Sequence, residues 1–175
     1  MAVTSLPGDS RSSLTASTVI DATSRWPLED GSVSHVYADN VIEHLPLEAG
    51  RAMLAEAYRC LQPDGVIRLI TPDIRTHVEL YLAGDASVDG AVATSYRDLG
   101  LAVEHPIDLL RIPIGQFGHH EGYVYDFDTL DQGLKRAGFH SPSRCEVGAS
   151  EHPELAGLDQ RTHEGGAQIA VEAVR

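Results

Sequence analysis

Four short polar groupings in this 175-residue chain carry side chains suited to chemistry. The densest is Gly118-His119-His120-Glu121. Histidine titrates near neutral pH, so His120 is a candidate general base for a hydroxyl nucleophile, beside the alternative that the segment is plain loop. Metal binding by His119, His120 and Glu121 is not expected: adjacent loop residues rarely converge on one ion, and neither HxH nor HxxxH spacing is present. Glu43-His44 is the second grouping, placed just before Pro46. His44 could serve as a base, with Glu43 beside it, or the pair could bridge a loop and a helix; the structural reading is preferred. Asp39-Asn40 and Asp21-Ala22 complete the set. Asp and Asn favour bends and caps in any protein. They also stand where open α/β sheets bind ligands when they end a strand.

The elements that must position these groups can be read from hydrophobic runs and their punctuation. Thr18-Val19-Ile20 reads as a buried strand ending at Asp21, and Ser34 to Ala38 as the next. Pro46 opens a helix at its first turn, with Leu47, Met53, Leu54, Ala57 and Leu61 on one face and Gln62-Pro63-Asp64-Gly65 as its stop. Val66 to Ile70 is a further strand. Thr71-Pro72-Asp73 reads as an N-cap and a first-turn proline, starting a helix through about Leu82. Asp128 is the expected cap of a helix carrying Leu130, Leu134 and Ala137, with Gly138 as its stop. Ser143 to Val147 and Gln168 to Val174 are expected strands, paired antiparallel because no long helix separates them. Residues 84–117 form a variable segment: a loop from Gly84 to Gly90, a helical stretch over 91–103, and an apolar run from Ile107 to Ile114 around Pro113. It is expected to lie over the C-terminal rim of the sheet. Residues 1–17, rich in Ser and Thr with Pro7 and Gly8, are expected to be a flexible leader, leaving 18–175 as one domain.

Composition excludes several classes. A formal charge of −13, with 26 acidic against 13 basic side chains, opposes a phosphate backbone, so no nucleic-acid partner is expected. No apolar run approaches the length of a membrane span, and no secretory signal pattern opens the chain, so a cytoplasmic protein without a membrane partner is expected. Two cysteines, Cys60 and Cys145, are too few for a disulfide framework.

Several of these segments together resemble the class I S-adenosylmethionine-dependent methyltransferases. The residues that carry the resemblance are Asp21-Ala22-Thr23, Trp26 to Val33 (WPLEDGSV), Asp39 to Leu45 (DNVIEHL), Glu56 to Gly65 (EAYRCLQPDG), Ile70-Thr71-Pro72-Asp73, the run to Ala137-Gly138-Phe139, and Ala170 to Ala173. The resemblance implies an α/β, Rossmann-like methyltransferase fold, with a mostly parallel sheet and a C-terminal antiparallel strand pair. It implies S-adenosylmethionine as cofactor, with Asp21 and Ala22 on the adenine side and Asp39 and Asn40 beside the methionine moiety. It places Glu43 and His44 at the helix entry and His120 in a loop facing the acceptor. Nothing before Asp21 spells the glycine-rich turn and ribose acid of the family, so the fold is expected to be truncated at its N-terminus and the cofactor site incomplete.

Two functions of different class follow. One is a methyltransferase acting on a small-molecule acceptor in sugar or secondary-metabolite biosynthesis. The other is a non-catalytic methyltransferase-like domain acting through homo-oligomerisation or a partner subunit, because missing strands would leave a sheet edge open. A metal-dependent hydrolase built on His119 and His120 is the weakest reading.

Overall fold

The computed structural model describes residues 21–159 and 167–175. The expected leader and the Thr18-Val19-Ile20 strand lie outside the described residues. Four strands, β1 (Val33–Asp39), β2 (Leu61–Pro72), β3 (His140–Cys145) and β4 (Gln168–Val174), form one sheet in the order β1-β2-β4-β3. Five helices accompany them: α1 (Leu47–Cys60), α2 (Ile74–Leu82), α3 (Ala91–Asp98), α4 (Pro106–Gly115) and α5 (Phe127–Ala137). Short 3-10 turns occupy Ile42–His44, Gly84–Asp89 and His119–Glu121.

β2 is the centre of the sheet, and its sequence says why. Val66 to Thr71 is buried at every position, as a strand covered on both faces must be. It pairs in parallel with β1 (His35 opposite Val66, Asp39 opposite Ile70) and antiparallel with β4 (Val66 opposite Val174, Pro72 opposite Gln168). α1 lays Met53, Leu54, Ala57 and Cys60 on the sheet, and α5 adds Leu130 and Leu134. Each fully buried large apolar side chain contributes about 1.5–3 kcal/mol. The Trp26 segment is pinned to α1 through Glu56, which accepts from the Trp26 N–H at 2.8 Å, and Arg59, which donates to the Leu28 carbonyl at 2.9 Å.

The sheet corrects one expectation. Among the described strands only β1 and β2 pair in parallel; β4 is antiparallel to both its neighbours. The expected antiparallel pairing of β3 with β4 is present, but β4 also inserts between β3 and β2. β2 and β3 therefore point the same way without touching. Local boundaries differ too. Thr71 does not cap α2: Thr71 and Pro72 finish β2, consistent with the extended preference of a residue before proline. Asp73 is the cap, accepting from the Arg75 N–H at 3.2 Å. α5 is capped by Asp126 rather than Asp128, because Thr129 three residues on returns the bond: Asp126 accepts from the Thr129 N–H at 2.9 Å and the Thr129 hydroxyl oxygen accepts from the Asp126 N–H at 3.0 Å. β3 begins at His140, earlier than expected. Pro46 is the N-cap of α1. Gly138 ends α5 at φ 110°, where a Cβ would stand 2.9 Å from the Tyr58 ring.

The variable segment 84–117 is ordered around a second small core of Ala93, Tyr96, Val103, Leu109 and Ile112. The expected loop after Gly84 is a 3-10 turn, and the apolar run is α4 with Pro113 inside it. A buried cation, Arg68, sits mid-way along β2. Its guanidinium bonds Asp159 and Glu172, and also the Glu146 carbonyl at 3.1 Å, tying the 146–159 loop to the sheet. Among the described residues no helix is long and apolar enough to cross a membrane.

Candidate functional site at the strand C-terminal rim

β1 delivers Asp39 and Asn40 to the rim. The chain turns there because Asn40 adopts φ 49°, a left-handed conformation that Asn tolerates better than most residues, while its N–H stays bonded to the Ile70 carbonyl at 3.0 Å. Asp39 Oδ2 accepts from the Tyr37 hydroxyl at 3.1 Å, and burial followed by the Asp39 charge pushes the Tyr37 phenol upward. Gln168, opening β4, donates from Nε2 to Asn40 Oδ1 at 3.2 Å. The turn Ile42–His44 then buries Glu43 completely, and the Thr71 hydroxyl at the end of β2 donates to Glu43 Oε2 at 3.2 Å.

The facing wall comes from the variable segment. Phe117 (φ 58°) and Gly118 (φ 87°) reverse the chain after α4 and drop His119 into the interior, 6% exposed. His119 Nδ1 lies 2.8 Å from the Pro113 carbonyl, which can only accept, so Nδ1 carries a proton and Nε2 is left with the lone pair in the neutral ring. Burial pushes the His119 pKa down, opposed by that same bond. Its ring meets His44 edge-on at 4.6 Å between centroids. Gly122 makes this approach feasible. A Cβ there would overlap the Glu43 carbonyl oxygen and lie 2.8 Å from its carbon and 3.0 Å from the His44 carbon. Further on, the Ile74 N–H donates to the Tyr125 carbonyl at 2.9 Å and holds the end of the loop against α2.

Between these walls lies a cavity of about 290 Å³, lined by Asn40, His44, Pro72, Tyr96, Leu99, Pro113, Phe117, His119 and Gln168. That is the lower end of the range for small-ligand sites. It opens at the carboxyl ends of β1 and β2, the position where open α/β sheets bind ligands.

Of the residues singled out from sequence, the structure brings together Asn40, His44 and Glu43, with Asp39 adjoining. His120 is exposed and does not line this cavity; His119 does. Sequence reasoning passed over His119 as a base because nothing distinguishes two adjacent histidines until burial is known. Asp21 is exposed and its Oδ1 accepts from the Thr23 N–H (2.9 Å) and hydroxyl (2.7 Å), a local turn that lowers its pKa; neither it nor Ala22 lines the cavity. Glu43, His44 and His119 offer ligand atoms within 4.8 Å of one another, so among the described residues a metal would find its donors across two segments rather than in the His119–Glu121 turn alone.

The sheet and its helices form a mixed α/β fold with a cavity at the strand rim. Residues 8–69 match the family model described as "Methyltransferase domain". The match begins inside the stretch expected to be a leader. No curated protein matches the chain. Solved structures similar to it include an O-methyltransferase family protein from Burkholderia thailandensis (12% identity, 89% of this chain and 34% of that one, TM-score 0.49). Others are an S-adenosylmethionine-dependent methyltransferase from Thermotoga maritima (16%, 87% and 60%, TM-score 0.47) and human N-acetylserotonin methyltransferase in complex with S-adenosylmethionine (16%, 90% and 33%, TM-score 0.49). The chain thus spans between about a third and three fifths of these proteins' lengths.

Proposed function

We propose that this chain takes part in methyl transfer from S-adenosylmethionine to a small-molecule acceptor, of the sugar or secondary-metabolite class, seated in the rim cavity. The observation that carries this reading is the cavity at the carboxyl ends of β1 and β2, lined by Asn40, His44 and His119. The chain offers part of a donor set for the cofactor: Asp39 and Asn40 would hold its methionine side, and Asp21, outside the cavity, would accept from an adenine amino group. When bound, S-adenosylmethionine supplies a methyl group activated by a positively charged sulfur. The chain's own contribution is alignment and proton removal. Tyr96, Leu99 and Phe117 supply an apolar wall that excludes water from the acceptor, and a neutral imidazole, His44 or His119, takes the proton of an acceptor hydroxyl. Glu43 positions the turn that carries His44. His120, on the exposed side of its turn, serves as a comparison residue: His44→Ala and His119→Ala should lower turnover of a methylated acceptor by about 100-fold or more, and His120→Ala by far less. Equal losses in all three variants would refute the assignment.

A second reading rests on a separate observation. Among the described residues β1 pairs with a strand on one side only, which supports a domain that associates through that edge with a second copy or a partner subunit. Light scattering of the purified chain separates the two. A monomer that binds S-adenosylmethionine favours the enzyme, and a stable oligomer that does not bind it favours the association role.

A further inference from the structure

Two segments distant in sequence place three metal-ligating side chains at one point of the cavity wall. We propose that Glu43, His44 and His119 form a site for one divalent transition-metal ion of the zinc class, open toward the cavity. Their ligand atoms already lie within 4.8 Å of one another. Around a tetrahedral zinc with bonds near 2.0–2.1 Å, ligand atoms stand about 3.3 Å apart, so closure requires side-chain adjustments of little more than an ångström.

Three features of the surroundings match what such a site needs. The Pro113 carbonyl fixes the His119 tautomer and aims the Nε2 lone pair away from its own backbone, the outer-shell bond that ligating histidines ordinarily make. The Thr71 hydroxyl holds Glu43 Oε2 in the same manner. His44 and His119 both face the cavity, so water or an oxygen donor of a small molecule can complete the coordination shell. Two imidazoles and one carboxylate select zinc, cobalt, nickel or iron(II) over magnesium or calcium, which prefer all-oxygen shells. Gly122 is the residue that permits the arrangement, since any side chain there would push the His119 turn off Glu43. An ion would occupy the same imidazole nitrogens that otherwise accept a proton, so metal content decides whether the pair acts as ligand or as base.

The test is titration of the chelator-treated full chain with Co2+, followed by its visible absorption and by calorimetry, without S-adenosylmethionine. This keeps its outcome separate from that of the cofactor reading. The expected result is one ion per chain with visible bands of a low-coordinate site, displaced by Zn2+. His119→Ala and Glu43→Gln should each weaken binding by about 10-fold or more, while His120→Ala leaves it unchanged. Thermal melts of the metal-free variants check that they fold, and His119→Gln replaces His119→Ala if the latter does not. Absence of stoichiometric binding by the wild-type chain up to millimolar Co2+ overturns the proposal without recourse to any variant. So does binding that survives His119→Ala and disappears in His120→Ala.

Discussion

Replacing Arg68 should expose how much of this fold hangs on one buried cation. Its side chain is 0% exposed, beside Asp159 at 1% and Glu172 at 9%. Nε donates to Asp159 Oδ1 at 3.0 Å, Nη2 bonds the other Asp159 oxygen, and Nη1 donates to Glu172 Oε1 at 2.5 Å. Arg68→Ala leaves two enclosed carboxylates without their shared cation. Breaking a buried pair in this way costs about 3–5 kcal/mol, which for a chain of this size lowers Tm by roughly 6–20 °C. The pH dependence identifies the cause. In the native protein burial pushes the Asp159 pKa up, but the bonds from Arg68 and the Gly148 N–H outweigh it, and the net shift is down. That stability is present above the unfolded value, near 3.8, and is lost as pH falls through the lower folded one. Without Arg68, burial is opposed only by the bonds from the Gly148 N–H and the Tyr37 hydroxyl, so the folded pKa rises and protonation relieves the variant as pH falls. Urea unfolding of wild type, Arg68→Ala and Arg68→Met at pH 7.5 and pH 5 is the assay. Both variants should be less stable at pH 7.5, and the gap to wild type should narrow at pH 5. A gap below about 1 kcal/mol at pH 7.5, or one that does not change with pH, would show that the network is not held by charge.

Two further outcomes follow from particular contacts. Gly122→Ala should destabilise the protein by about 1–3 kcal/mol in urea unfolding, because the new Cβ meets backbone that cannot swing away. Gly115→Ala, with open space around the added carbon, should change little. His77, buried against Tyr96, has its pKa pushed down to about 4 by burial, with the Leu109 backbone and Asp73 opposing. The unfolded chain takes up that proton first, so stability is full above about pH 6.5 and falls by about 3 kcal/mol as pH drops to about 4. His77→Gln should flatten this part of the stability profile, and an unchanged slope would remove His77 as its source.

What the sequence disclosed and what it hid divide along the range of the interactions. β4 from Gln168 to Val174, the core of β1 and the end of α5 were legible because apolar runs and Gly138 make local demands, whereas the expected stop of α1 at Gln62 to Gly65 lies inside β2, which begins at Leu61. The caps of α2 and α5 were each misplaced by two residues. At each site two neighbouring residues of cap-forming type compete, and reciprocal bonds such as that of Thr129 decide the winner. Strand direction across the whole sheet was not legible, since the insertion of β4 between β2 and β3 is a long-range event. The site followed the same rule. Asn40 was legible because it ends a strand, and His44 because it stands just before the helix start at Pro46. The convergence of His119 on Glu43 depends on the positive φ of Gly118 and the bare Cα of Gly122, which no local pattern announces. Arg68 is carried inside residues 66–70 because Asp159 and Glu172 reach it from distant segments, which no local pattern announces.

The rim of β1 and β2 is the proposed binding place of S-adenosylmethionine. Isothermal titration of the chain with S-adenosylmethionine tests it most directly. The expected result is saturable binding with a Kd on the order of micromolar, near −8 kcal/mol, weakened about 10-fold or more by Asn40→Ala. No heat of binding at millimolar cofactor, with the chain folded by circular dichroism, would contradict it and leave the association role standing.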